Sequence, residues 1–157
     1  MKLVSKTDID AAPEALFAAL CDRDWFEGLA RRGGVQVDRL DAGGPFAVGS
    51  GWSLQFAWRG RVRTVTSRID SMTVPRLIGL SGQSGGFETE AEVLFVQLGR
   101  GTTRMTVALD LKPRSFTARL ILQTLKIGKG RLKDRLDHRV QAMGAALKDR
   151  AVQRERH

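Results

Sequence analysis

The apolar residues of this chain change their spacing once, and that change limits the folds open to it. From Val35 to about residue 112 they recur at every second position, which is typical of strands with one buried face. After residue 115 they recur at every third or fourth position, as in an amphipathic helix. The longest helical stripe consists of Leu132, Leu136, Val140, Met143 and Leu147. A sheet with one apolar face must cover that face, and only this C-terminal helix is long enough to do so.

The clearest strand carries Trp52, Leu54, Phe56 and Trp58, which alternate with small and polar residues. Arg59-Gly60 suits a two-residue hairpin turn and predicts a returning strand over 61–70. The same pattern predicts further strands over 2–10, 35–40, 76–81, 87–97 and 102–112.

Helices are predicted on either side of these later strands. Pro13 suits the first turn of a short helix, and Asp24 is predicted to cap a second one. Ser115 is predicted to cap a helix that Gly128 and Gly130 weaken before the long C-terminal helix of about five turns begins. The expected architecture is α+β: an antiparallel sheet of six to seven strands that grips a long C-terminal helix, with two short helices after strand 1.

Length and composition exclude several classes of protein. The chain has 157 residues, of which 42% are hydrophobic, so it can bury a core of its own. The single Cys21 excludes a disulfide framework, and neither a zinc-site spacing nor a nucleotide-binding loop is present, so no metal or cofactor is expected. The N-terminus lacks the apolar segment of a signal peptide, which predicts a cytoplasmic protein. We expect one domain over 1–151 and a frayed basic tail over 152–157.

The net charge of +9 is confined to the last third of the chain. Residues 1–111 carry 13 Lys and Arg against 13 Asp and Glu, whereas residues 112–157 carry 13 against 4. This basic segment is interpreted as a solvated surface or as a docking surface for an anionic membrane. Nucleic acid is disfavoured as a partner, because the segment has little aromatic interleaving and no known reading motif.

The aromatic strand is the candidate ligand site. Trp52, Leu54, Phe56 and Trp58 suit the wall of an apolar cavity, and the same residues would equally serve as ordinary core. The Arg59-Gly60 turn pairs Phe56 with Arg63, which would aim Arg63 into the cavity as an anchor for a carboxylate or phosphate. A shift of one residue would turn Arg63 outward, and this outward orientation is favoured because buried unpaired arginines are rare.

The other candidate side chains are interpreted as structural. Glu88, Glu90 and Glu92 alternate on one strand and are predicted to form a solvated outer face that pairs with arginines. His138 is predicted to lie on the surface, and Cys21 to be buried. Because the sequence contains no recognisable nucleophile motif, no catalytic residue is assigned.

Several phrases of the chain resemble START-like domains of the SRPBCC superfamily, which have the Bet v1-like helix-grip fold. The nearest branch is the polyketide cyclase/dehydrase and lipid-transport family. The phrases, in order, are Ile9–Phe17, Asp22–Trp25, Val48–Gly51, Pro75–Leu77 and Gly101–Arg104. This resemblance implies a deep, mostly apolar cavity between the sheet and the C-terminal helix.

The resemblance leaves three functions open. The first is binding or transport of a small hydrophobic ligand: a lipid, an isoprenoid or quinone, or a polyketide-like aromatic. The second is a cyclase/dehydrase-type enzyme, which would need buried acid and base residues. The chain contains no Tyr, a residue that cyclase members commonly place in the cavity, so the enzyme is not preferred. The third is an interaction module that binds no ligand.

Overall fold

A computed structural model of the chain describes residues 1–41 and 43–156. It contains seven strands and four helices within these residues. In chain order the elements are β1 (Lys2–Ile9), α1 (Pro13–Leu20), α2 (Arg23–Arg32), β2 (Gln36–Arg39), β3 (Gly51–Trp58), β4 (Arg61–Thr73), β5 (Leu77–Ser84), β6 (Phe87–Gly99), β7 (Thr102–Pro113), α3 (Phe116–Ile127) and α4 (Lys129–Glu155).

The seven strands form one antiparallel sheet in the order β1-β7-β6-β5-β4-β3-β2. The predicted sheet is therefore confirmed. Strands β2 to β7 follow one another as neighbours, and β1 joins the far edge beside β7. The predicted turn at Arg59-Gly60 is also confirmed: both residues have positive φ, 51° and 75°, as a two-residue hairpin of this type requires.

The two short helices follow β1 as predicted, but the second begins two residues earlier than expected. The side chain of Asp22 accepts a hydrogen bond from the backbone N–H of Trp25 at 3.2 Å, so Asp22 is the N-cap. The prediction of Asp24 as the cap is wrong. Asp24 lies inside the first turn, and its carboxylate instead accepts a hydrogen bond from Arg39 at 2.7 Å.

The C-terminal helical region is divided at Gly128. The hydroxyl of Ser115 accepts a hydrogen bond from the N–H of Ala118 at 3.0 Å, which confirms Ser115 as the cap of α3. Helix α4 then runs for 27 residues and is longer than the predicted five turns. It includes residues 152–155, and His157 lies outside the described residues. Fraying of the tail concerns motion and stays a prediction.

The core lies between the inner face of the sheet and helices α1 and α4. Its largest buried side chains include Leu16, Leu20, Phe95, Met105 and Leu147. Helix α4 packs on β1 and α1, and α3 packs on β7. The helices therefore cover the inner face most tightly at the β1 edge. None of the described helices is both long and apolar enough to cross a bilayer.

Candidate functional site

The inner face of the β3–β4 hairpin brings an arginine beside the aromatic strand. Phe56 pairs with Arg63 and Trp58 pairs with Arg61, without a bulge between the two strands. Paired residues of an antiparallel sheet project from the same face, so Arg63 lies on the inner face with Phe56. The favoured prediction that Arg63 points outward is wrong, because the two-residue turn at Arg59-Gly60 fixes the register.

Arg63 is placed against Trp58 and lacks a partner for one of its donors. Its guanidinium carbon lies 5.5 Å from the centre of the Trp58 ring, and that of Arg59 lies 4.6 Å from the same ring. One indole thus accepts cation–π contacts from two arginines. The Nε of Arg63 is buried, and no hydrogen-bond acceptor reaches it within residues 1–41 and 43–156. A buried donor without an acceptor is costly, so this atom is suited to receive an acceptor from a bound molecule.

The predicted wall residues differ in how much of each side chain is accessible to a ligand. Trp52 is 1% exposed and packs against Phe26 and Phe46 at ring separations of 5.3 and 5.8 Å. Its indole N–H donates to Glu27 at 2.7 Å, so it needs no polar group from a ligand. Trp52 therefore belongs to the packed core.

The other three wall residues lie between Trp52 and the turn of the hairpin. Leu54, Phe56 and Trp58 are each partly exposed. The apolar inner face thus changes along β3 from closed core at Trp52 to accessible surface at Trp58. The structure brings these three residues and Arg63 together on one hairpin face.

A cavity of about 820 Å³ opens between this hairpin and the junction of α3 and α4. Its lining combines apolar and cationic side chains. The apolar ones are Trp58, Leu125, Ile127 and Leu132, and the cationic ones are Arg59, Arg131 and Arg135. The volume is within the range of small-molecule sites, which is about 300–1,000 Å³.

A buried ionic cluster lies beneath Trp52, and it was not predicted from the sequence. Glu27 is 2% exposed and accepts hydrogen bonds from Arg39 on both carboxylate oxygens, each at 2.7 Å. The Nε of Arg23 lies 3.5 Å from the same carboxylate. The hydrogen bond from Arg39 is the main reason that the pKa of Glu27 lies below its ordinary value. The signal was present as the i, i+4 pair of Arg23 and Glu27, which usually marks an exposed helix face.

Asp41 extends the same cluster at the loop before β3. Its carboxylate accepts from Arg23 at 3.1 Å and from the backbone N–H groups of Gly43 and Gly51 at 3.0 and 3.1 Å. These hydrogen bonds, that from Arg23 above all, lower the pKa of Asp41 from 3.8 to about 2. The cluster therefore holds ionised carboxylates at neutral pH, and it links α2, the loop and β3.

The glutamates of β6 lie on the outer face, as predicted. Glu88 pairs with Arg114 at 2.6 Å and Glu90 pairs with Lys112 at 3.4 Å, both across to the end of β7. The hydrogen bond from Arg114 lowers the pKa of Glu88. Within the described residues, no group of three or more His, Cys, Asp or Glu is placed to hold a metal ion.

The two remaining candidates, Cys21 and His138, do not belong to the site described above. Cys21 is half-buried rather than fully buried, and burial raises the pKa of its thiol to about 11, so it is protonated at neutral pH. His138 is exposed on α4, as predicted.

Comparison with solved structures identifies the fold of the chain. No family model matches the sequence, and no curated protein is significantly similar to it. Solved structures are similar along nearly the whole chain. A norcoclaurine synthase variant from Thalictrum flavum, solved with a transition-state analogue, is 12% identical with a TM-score of 0.71, covering 99% of this chain and 96% of its own.

Two further structures agree. The Zhui aromatase/cyclase of Streptomyces sp. R1128 is 16% identical with a TM-score of 0.68, covering 96% of this chain and 94% of its own. Ara h 8.0201 is 10% identical with a TM-score of 0.60, covering 98% of each chain. The resemblance to START-like domains is thereby confirmed at the level of architecture, and the chain has the Bet v1-like helix-grip fold.

Proposed function

We propose that this protein binds a small, mostly hydrophobic molecule with one anionic group, between the inner face of the sheet and the C-terminal helix. The observation that carries the proposal is the buried Nε of Arg63, which has no acceptor among the described residues and lies on an apolar face beside Trp58. A carboxylate or phosphate would supply the acceptor and the opposite charge.

Apolar surface supplies the remainder of the binding. Leu54 and Phe56 on β3 and Leu80 on β5 belong to the inner face and stay partly exposed, and Leu54 and Leu80 also pack against the core. A ligand that covers them gains about 25 cal/mol for each Å² of apolar surface removed from water. Acid-bearing lipids, isoprenoids and polyketide-like aromatics all combine such a body with such a group.

The mouth of the cavity favours the same charge. Arg59, Arg131 and Arg135 border it, and no carboxylate of the described residues lies within ion-pair distance of these three or of Arg63. Uncompensated cations around a concave site attract anions and raise their rate of association. The anionic group is therefore expected to lie between Arg63 and the mouth, with the apolar part directed along the partly exposed inner face towards Leu54.

A cyclase-type enzyme is the second candidate, because the structurally similar proteins include an aromatase/cyclase and a synthase. Such chemistry needs a positioned acid or base with a pKa near the working pH. Two carboxylates of the inner layer, Glu27 and Asp137, are paired with Arg39 and Lys133, and these hydrogen bonds lower both pKa values. Neither is suited to donate a proton at neutral pH, so binding is preferred over catalysis.

Fluorescence titration with cis-parinaric acid and with its methyl ester tests the proposal. The wild-type protein is expected to bind the acid more tightly than the ester. Arg63→Gln should weaken binding of the acid about tenfold or more, since a hydrogen bond to a charged group contributes about 1.5–3 kcal/mol. Binding of the ester should change little. Arg100→Gln, in the exposed β6–β7 turn, removes the same charge elsewhere and serves as the matched control.

Native mass spectrometry of the protein purified from its own cells gives an independent readout. A co-purified acid of the predicted class supports the binding function. If neither probe binds and the protein is always recovered as the bare chain, the binding function is wrong and an interaction module without a ligand gains support. Equal loss of acid and ester binding in Arg63→Gln would show that Arg63 supports the shape of the β3–β4 hairpin and does not bind the anionic group.

A further inference from the structure

Helix α3 is apolar on two opposite sides, and only one of them is covered. The covered side consists of Ala118, Leu122 and Leu125, which are buried. The other side consists of Phe116, Leu120 and Ile127, which are 75%, 50% and 89% exposed. At about 100° per residue these three side chains project within about 40° of one another, opposite the buried set. A contiguous exposed apolar surface of this kind usually marks an interaction site, so a partner is expected on this outer side.

The charged residues of the segment that contains α3 are all of one sign. Residues 111–133 contain seven Lys and Arg and no Asp or Glu. Three of these cations have carboxylate partners: Lys112, Arg114 and Lys133. For the other four, no carboxylate of residues 1–41 and 43–156 lies within ion-pair distance; they are Arg119, Lys126, Lys129 and Arg131. The exposed apolar side is therefore bordered by positive charge that the protein itself does not neutralise.

We propose that the outer side of α3, formed by Phe116, Leu120 and Ile127 and bordered by these four cations, docks on the surface of an anionic lipid bilayer. We call it the α3 docking face. An amphipathic helix with exposed aromatic and aliphatic residues beside Lys and Arg is suited to lie in the headgroup region, where its apolar side enters the acyl boundary and its cations meet lipid phosphates.

A bilayer fits this face better than a nucleic acid does. Nucleic-acid affinity depends on cations, and large exposed aliphatic side chains such as Leu120 and Ile127 add nothing to it. The structure also places the proposed membrane contact on α3, a smaller region than the one predicted from the sequence. The sequence predicted it for the basic C-terminal segment as a whole, but three cations further along α4 have carboxylate partners. These are Lys148, Arg150 and Arg154, and Arg150 lies 2.6 Å from Asp22.

Docking through α3 would set the cavity against the bilayer. Ile127 belongs both to the α3 docking face and to the lining of the cavity, and Gly128 and Gly130 follow directly. A molecule leaving the membrane at this point would meet the mouth without crossing bulk water. The docking itself requires no bound ligand, so it stands or falls separately from the proposed function.

Sedimentation with vesicles tests the α3 docking face. The probes are vesicles of phosphatidylcholine with 30% phosphatidylserine and vesicles of phosphatidylcholine alone, at low and at physiological salt. The wild-type protein is expected to bind the anionic vesicles, and more strongly at low salt because salt screens the attraction. The double variant Arg119→Gln/Lys126→Gln should bind at least tenfold more weakly, since each surface cation contributes about a fivefold change. The double variant Phe116→Ser/Ile127→Ser should also bind at least tenfold more weakly, because it removes apolar side chains that enter the acyl boundary.

Two matched variants test whether binding depends on the α3 docking face or only on the total number of exposed apolar residues and cations. Val48→Ser/Val74→Ser removes two comparably exposed apolar residues at the other end of β4, and Arg154→Gln/Arg156→Gln removes two cations near the end of the chain. Both should bind like the wild type. Thermal unfolding confirms that each variant is folded.

Three results would overturn the proposal. One is no binding to anionic vesicles at low salt. Another is equal binding by Phe116→Ser/Ile127→Ser and by the wild type. The third is a gel shift with duplex DNA that needs Arg119 and Lys126 but is indifferent to Phe116 and Ile127, which would identify a nucleic acid as the partner. Failure of cis-parinaric acid to bind would leave all three readouts unchanged.

Discussion

A buried carboxylate holds together the corner where α2 meets β2 and β3. Glu27 accepts from Arg39 and from the indole of Trp52, and Arg23 lies over the Trp52 ring at 5.1 Å. Buried charges are costly unless they are paired and hydrogen-bonded, and here the pairing is extensive. The i, i+4 pair with Arg23 is the one local signal at Glu27, and it does not predict burial, because the burial depends on Arg39, which lies in another element.

Replacing Glu27 by Gln should therefore be strongly destabilising. The variant leaves Arg23 and Arg39 without their shared counter-charge in a buried setting, and we expect a loss of about 3 kcal/mol in the free energy of unfolding. Glu90→Gln makes the same chemical change at an exposed pair with Lys112 and should cost less than about 0.5 kcal/mol. Urea unfolding of both variants measures the difference. Equal losses in the free energy of unfolding would mean that the buried ion pairs of Glu27 stabilise the fold no more than an exposed pair does.

Asp41 predicts a specific dependence of stability on pH. Its pKa is lowered from 3.8 to about 2 in the folded protein, so its contribution is complete above about pH 4 and disappears as the pH falls through 2. Asp41→Asn should thus be less stable than the wild type at pH 6, and the gap should close between about pH 4 and pH 2. Thermal unfolding across this range measures the gap. A gap that stays constant with pH would contradict the assigned hydrogen bonds.

The elements were predictable where their signals are local. The alternation of β3, the Arg59-Gly60 turn and the Ser115 cap each depend on residues within a few positions of one another, and the structure confirms them. The errors arose where distant residues decide. Asp22 caps α2 although Asp24 is as good a cap in isolation, and the orientation of Arg63 depended on a register that sequence spacing alone left open.

Helix α4 and β1 approach each other closely at Gly144. A Cβ placed there would lie 2.9 Å from Cγ2 of Thr7 and 3.4 Å from Cδ1 of Ile9. Gly144→Ala would raise helix propensity by about 1 kcal/mol, but it would have to separate the helix from the strand. We expect a net loss of about 1 kcal/mol in the free energy of unfolding, because overpacking typically costs about 1–3 kcal/mol.

Gly130 provides the control for this prediction within the same helix. A Cβ there meets no atom within 4 Å, so Gly130→Ala should stabilise the protein by about 0.5 kcal/mol. Urea unfolding of the two variants should give shifts of opposite sign. Stabilisation by both would show that α4 can move off β1 at little cost.

At the scale of the whole molecule, the architecture was more predictable than the site. An apolar sheet face and one long amphipathic helix leave few arrangements, and the observed order of strands is one of them. The cavity was harder to locate, because it depends on how α4 is set against β1 and how the chain turns at Gly128. Trp52 and Trp58 have the same spacing signal, yet one is sealed in the core and the other borders the opening.

The placement of β1 at the sheet edge has a consequence for how the molecule is made. Lys2 pairs with Asp110 and Ile9 with Thr103, so β1 is synthesised before the other six strands of the sheet and has no partner until β7 follows about a hundred residues later. Contacts so distant in sequence form slowly, since the intervening chain must be closed into a loop. The strand on which α4 packs is thus the first of the seven to be translated and is paired only after the other six, so the space beneath the helix forms only once β1, β7 and α4 have come together.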